Sequence, residues 1–186
     1  MNRWLPFLAL ALFHPLISVF ADLSVGQTYR ISFTDLNGNN LSTADGHITT
    51  VALVSKANVD KAHALGDRTP DLCLGNPSYR MLTIVAFEME HTRPMRAFIM
   101  SIMRRRVNSE AHRLQDRYNQ LKVARDARKD VFAVADFDGA IAAKFDSKPS
   151  ATLFRVFAFG KNGEVLKQWD DLPSAEELTA ALKPSD

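Results

Sequence analysis

Apolar and polar residues change their spacing several times along this chain, and each change marks an element. Tyr29, Ile31 and Phe33 alternate with Arg30, Ser32 and Thr34, the period-two pattern of a half-exposed strand. Asp35-Leu36-Asn37-Gly38-Asn39-Asn40 then predicts a turn, because Asn-Gly favours positive φ. Leu41-Ser42 resumes the strand and Asp45-Gly46 makes a second turn. Residues 49–54 are apolar or β-branched without alternation, as in a strand buried on both faces. Residues 59–65 are a short helix candidate, with Gly66 placed to cap its C-terminus. Residues 67–78 hold Pro70, Gly75, Asn76 and Pro77 and read as an irregular loop carrying Cys73. Residues 81–87 are a second buried strand.

Thr92 and Pro94 form a helix start, threonine as N-cap and proline in the first turn. Met95, Phe98, Ile99, Ile102 and Met103 follow at helical spacing, and so do Ala111, Leu114, Tyr118 and Leu121. Asn108 and Ser109 separate the two sets, so the pattern allows one long helix or two with a break. Residues 131–135 are a third buried strand, Asp136-Phe137-Asp138-Gly139 a turn, and residues 140–145 a short helix. Residues 152–159 and 164–169 are strands joined by Lys161-Asn162-Gly163, a hairpin signal. Ser174-Ala175-Glu176-Glu177 is a capping box opening a last helix, with Leu178, Ala181 and Leu182 inward. Strands separated by helices imply right-handed parallel crossovers, and the terminal hairpin makes the sheet mixed. The fold class is α/β.

Composition adds location more than chemistry. The 186 residues are 46% hydrophobic and 24% charged, ordinary for a globular chain. A formal net charge of +2 gives no ground for a nucleic-acid partner. Arg3 followed by the mostly apolar residues 4–20 and by Val19-Phe20-Ala21 has the layout of a signal peptide, residues 1–21, cut after Ala21. An uncleaved anchor is the alternative. The expected mature unit is a single domain, residues 22–186, exported to a periplasmic or secreted location. Cys73 is the sole cysteine, which excludes an intramolecular disulfide and a cysteine-rich metal site. His47, His63, His91 and His112 show no metal-ligand spacing, so neither metal nor cofactor is expected. Asp60 and His63 share a helix face as polar decoration, and Asp136 and Asp138, which would point opposite ways if extended, read as turn and helix-cap residues. Arg104, Arg105, Arg106, Arg113, Arg117, Lys122, Arg125, Arg128 and Lys129 are interleaved with acids and read as the solvated face of the 95–129 helix. A protein- or lipid-docking face is the remaining reading of that helix.

Several segments, in order, resemble the thioredoxin-like proteins, in particular the exported redoxins and peroxiredoxin-like branch. Val25-Gly26-Gln27 with Phe33-Thr34-Asp35-Leu36-Asn37-Gly38-Asn39 is similar to the family's leading hairpin, residues 46–54 to its first core strand, and Val134-Ala135-Asp136-Phe137-Asp138 to its third strand and turn. Residues 157–165 and 174–182 are similar to its last hairpin and helix. The resemblance implies a three-layer α/β/α sandwich with a mixed central sheet and an N-terminal β extension. It also implies a Cys-x-x-Cys pair at the start of the first helix, where unpaired amides lower the thiol pKa. The matching residues here are Val59, Asp60, Lys61 and Ala62, without sulfur. The family's cis-proline faces that pair, and counting back from Asn162-Gly163 puts Phe154 or Arg155 at its place, with Pro149 several residues early.

The expected function is therefore a non-catalytic binding or accessory protein whose partner is a protein or peptide. Val59, Asp60, Lys61, Ala62, Phe154 and Arg155 are its candidate binding residues. One alternative is a divergent single-cysteine oxidoreductase or peroxidase using Cys73. There Pro70 occupies the place of the family's hydroxyl residue, and Asp71 would raise the thiol pKa. The other is an envelope-associated protein that oligomerises or docks lipid through residues 95–129.

Overall fold

The computed structural model describes residues 23–183. The signal-peptide segment proposed for residues 1–21 lies outside them. The chain opens with β1 (Ser32–Thr34) and β2 (Asn40–Ser42), which pair antiparallel as a small hairpin. Only three residues of the alternating stretch join this ladder, but the alternation holds, with Ile31 and Phe33 buried. Asp35 shapes the turn by accepting from the amides of Asn37 and Asn39, both at 2.8 Å.

The main sheet follows. It comprises β3 (Ile48–Ser55), β4 (Tyr79–Ala86), β5 (Val131–Asp136), β6 (Phe154–Phe159) and β7 (Val165–Trp169), ordered β5-β4-β3-β6-β7. β3 runs parallel to β4, and β4 to β5, while β6 and β7 are antiparallel. Central position explains the composition of β3: every one of its residues is buried, as its unbroken apolar run predicts. The β6–β7 turn is the expected one. Gly163 has φ +84° and its amide bonds Gly160 O at 2.9 Å. An added Cβ there would strike the Tyr29 carbonyl, so glycine is required twice over.

Four helices cover the sheet: α1 (Val59–Asp67), α2 (Arg93–Gln120), α3 (Ala140–Ala143) and α4 (Ala175–Leu182). Ala52 and Val54 of β3 pack with Ala62, Leu65 and Leu178 on one face. Val51 and Leu53 pack with Phe33, Leu41, Ala142 and Phe145 on the other. The expected three layers, mixed sheet and N-terminal β extension are present. The predicted capping box of α4 forms, Ser174 and Glu177 bonding reciprocally.

Four local expectations meet the structure: one open choice is decided, two are corrected and one is met. Asn108 and Ser109 do not break the long helix; α2 is continuous over 28 residues, and both side chains face solvent. Gly66 lies inside α1, whose end is set by Arg68 bonding Ala64 O and Leu65 O. The basic face of α2 is only partly solvated, because arginine's planar donors reach carbonyls and acids of neighbouring segments. Arg104 bonds Leu36 O at 3.1 Å and Arg117 bonds Thr69 O at 2.9 Å and Asp71 at 2.7 Å. Asp136 and Asp138 act as the turn and helix-cap residues that were expected, since the chain leaves the strand after Asp136 and turns through Gly139 at φ +71°. Asp136 accepts from the Ala142 amide at 2.7 Å, and Asp138 from the Ala140 amide at 3.1 Å. The two carboxyls meet: burial raises the Asp136 pKa, while the Ala140 amide lowers that of Asp138.

Candidate functional site

In a sheet of parallel strands flanked by helices, ligands meet the carboxyl ends of the strands. Here that end is formed by the passage from β3 into α1, the end of β4, and the start of β6. Lys56–Asn58 makes a turn of 3₁₀ helix between β3 and α1. Asn58 then ties the start of α1 to the loop before β6, its Nδ2 reaching Leu153 O at 3.2 Å and Ala151 O at 3.4 Å. Ser55 uses the same two carbonyls, its amide bonding Leu153 O and its hydroxyl Ala151 O, both at 2.8 Å. Two of that loop's carbonyls, those of Ala151 and Leu153, are thus already taken. No peptide bond among the described residues is cis.

The candidate binding residues separate into three positions. Asp60 and Lys61 are exposed and Val59 is half-buried at the α1 N-terminus. Ala62 and Phe154 lie beneath them in the core, Phe154 only 4% exposed, with Lys61 Nζ 5.1 Å above the Phe154 ring. Lys61 also pairs with Asp171 at 2.8 Å. Arg155, the next residue of an extended strand, necessarily faces the opposite side of the sheet. There it stacks over Phe157 at 4.9 Å and bonds Phe145 O at 3.0 Å and Asp170 at 3.0 Å. Val59, Lys61, Ala62 and Phe154 are therefore brought together, and Arg155 is not.

Cys73 lies at the other end of β3. It sits in a turn of 3₁₀ helix, packed with Ile48, Ala158 and Leu182. With eight residues in β3, about 23 Å of strand separates it from the α1 N-terminus. The thiol is 8% exposed, and burial pushes its pKa from 9.0 up to about 11. Asp71, expected from the sequence to raise it, makes an ion pair with Arg117 instead. His63 is not free decoration: its Nδ1 meets Glu110 at 2.7 Å, joining α1 to α2. Among the described residues no group of three His, Cys, Asp or Glu side chains could hold a metal ion.

Two features were not legible in the spacing. One is the Asn58 tie, a single polar residue with no pattern around it. The other is a cleft of about 680 Å³ between α1 and α2, floored by β4. Its mark is in the burial along β4 and not in the sequence. Tyr79, Met81 and Thr83 remain half-buried although helices stand on both sides of them, while Arg80, Leu82 and Ile84 on the opposite face are buried.

No family model and no curated protein sequence matches the chain. Solved structures do. A secreted thiol-disulfide isomerase from Corynebacterium glutamicum aligns with TM-score 0.51 at 12% identity, covering 83% of this chain and 82% of that one. A DsbF homologue from Corynebacterium diphtheriae gives TM-score 0.50 at 12% identity, covering 83% of each chain. The pneumococcal exposed lipoprotein thioredoxin from Streptococcus pneumoniae gives 0.50 at 12%, covering 82% of this chain and 98% of that one. At such identity the likeness is one of fold.

Proposed function

We propose that this chain, which has the thioredoxin-like fold and lacks the Cys-x-x-Cys pair, is an exported, non-catalytic binding protein acting on a protein or peptide. The observation that carries this reading is the separation of thiol from helix terminus. Thioredoxin chemistry needs a thiolate at the α1 N-terminus, where free amides stabilise the anion, and a second thiol to resolve the mixed disulfide. Val59 and Ala62 stand in those places, and the sole thiol is buried at the far end of β3 with its pKa raised. A fold can keep its binding surface when its chemistry is gone. The partner would meet Asp60, Lys61 and the exposed edge of Val59, with Ala62 and Phe154 as their support. Side chains would supply most of the hold, because Ser55 and Asn58 occupy the Ala151 and Leu153 carbonyls. The signal-like residues 1–21 support export, as do the secreted and surface-exposed neighbours in fold.

The test pairs insulin reduction with binding. The protein should give no turnover above the dithiothreitol background. Addition of a permanently unfolded, carboxymethylated polypeptide should shift amide resonances around residues 56–62. Turnover at the level of an ordinary thioredoxin refutes the reading, and so does an unchanged spectrum.

A further inference from the structure

The cleft between α1 and α2 borders the surface proposed above, sharing Val59 and Ala62 with it, and its chemistry points to a ligand unlike a peptide. Both helices run away from the same end of the sheet, and they are joined only along their lower turns. His63 pairs with Glu110 and Asp67 with Arg113, and just past the end of α1 Asp71 pairs with Arg117, at 2.7–2.8 Å. Above the His63–Glu110 pair no ion pair joins them among the described residues, and the seam opens. One helical turn toward that end brings Val59 on α1 opposite Arg106 on α2. The floor is the outer face of β4, with Met81, Thr83 and Val85, and Ile99 and Met103 stand on the α2 wall. Eight strand residues give a floor about 23 Å long. The volume falls in the range of about 300–1,000 Å³ that holds small molecules.

The charges along the lining are unevenly satisfied. Arg80, Arg113, Arg117 and Asp130 all have partners. Lys56 and Arg106 have none among the described residues; Lys56 lies at the open end and Arg106 midway along the α2 wall, one turn above Glu110. The lining acid without a partner is Asp116, three turns further along α2 at the closed end. The buried Nδ1 of His91, also at the open end, likewise lacks a partner. The cleft is therefore long and largely apolar, with two unpaired cations between its mouth and its middle and an unpaired acid toward its far end. A membrane surface would need a convex face, and an extended peptide would need backbone partners that this seam of side chains does not offer.

We propose that the cleft binds one long-chain fatty acid, its acyl chain along β4 and its carboxylate between Lys56 and Arg106. This site goes beyond the peptide surface proposed above and does not depend on it.

The test uses delipidated protein and the fluorescent probe cis-parinaric acid, displaced by palmitate, methyl palmitate or an apolar peptide. One saturable site is expected, with palmitate displacing the probe in the micromolar range. Methyl palmitate, lacking the charge, should compete about tenfold less well, and Arg106→Glu should weaken palmitate by a similar factor while leaving the ester unchanged. Thr83→Phe should fill the floor and abolish binding. Should that variant not fold, Ile102→Trp on the exposed cleft wall serves instead, and energy transfer from the new indole to bound probe is expected. Absence of saturable binding overturns the proposal. So do equal competition by acid and ester, unchanged binding in the filled variant or no energy transfer in the indole variant. Displacement by the peptide but not by palmitate, or protein that sediments with phosphatidylglycerol vesicles without releasing probe, overturns it as well.

Discussion

Alkylation of Cys73 should be at least about a hundredfold slower in the native protein than in the unfolded chain at pH 8. The thiolate is the nucleophile, and burial moves the pKa from 9.0 to about 11. Two units of pKa, below both values, cut the thiolate fraction by about two orders of magnitude. An 8% exposed side chain slows access further, so reaction through global opening sets the floor. The assay is iodoacetamide labelling followed by mass spectrometry, in buffer and in urea, from pH 7 to 10. The linkage has a definite sign. The folded pKa lies above the unfolded one, so the contribution to stability is complete below pH 9 and is lost as pH rises toward 11. The urea midpoint should fall across that window, and Cys73→Ala should remove this part of the fall. Native labelling at the rate of a free thiol at pH 8 would refute both the burial argument and the non-catalytic reading.

Three further outcomes follow from particular contacts. Arg80→Ala should cost about 3 kcal/mol by urea unfolding, because it strands Asp45 and removes bonds to Ser42 O at 2.8 Å and Thr49 Oγ1 at 3.1 Å. Burial alone would raise the Asp45 pKa, but the Arg80 and His47 hydrogen bonds outweigh it and hold it at about 2. That stability is present above pH 3.8 and lost as pH falls through 2, so Arg80→Ala should flatten the acid limb of a pH–stability curve. Tyr118→Phe should cost about 1–3 kcal/mol in thermal unfolding, since the buried hydroxyl donates to Asp130 and accepts from the Gly75 amide, both at 2.9 Å. Gly163→Ala should lower stability by more than the ~1 kcal/mol of left-handed strain, because its Cβ strikes the Tyr29 backbone. Calorimetry checks it, and a Tm change under a degree would sink the argument.

Much of this architecture was legible because it depends on local pattern. The unbroken apolar run of β3 announced a central strand, Asn162-Gly163 a hairpin, and Ser174 with Glu177 a helix start. The helix boundaries were less legible. Nothing near Asn108 and Ser109 tells that Val107 would be buried against the sheet edge, with Ala111 buried one turn on, and carry the helix through. The candidate site was half visible. Spacing placed Val59, Lys61 and Ala62 at the head of α1, but it could not tell that Phe154 faces them and Arg155 faces away. That depends on which residue begins β6, and a shift of one reverses every side chain.

The sequence by itself determined the element order, the parallel crossovers, and the absence of sulfur at the head of the first helix, because each is carried by neighbouring residues. Tertiary structure alone decided where the remaining chemistry lies. It put Cys73 at the far end of β3 and buried it, through contacts with Ile48, Ala158 and Leu182 that are distant in the chain. It closed the loop before β6 with Ser55 and Asn58, some ninety residues away. It also joined α1 and α2 at one end and left them apart at the other. Such features arise from pairs remote in sequence, whose meeting no periodicity records.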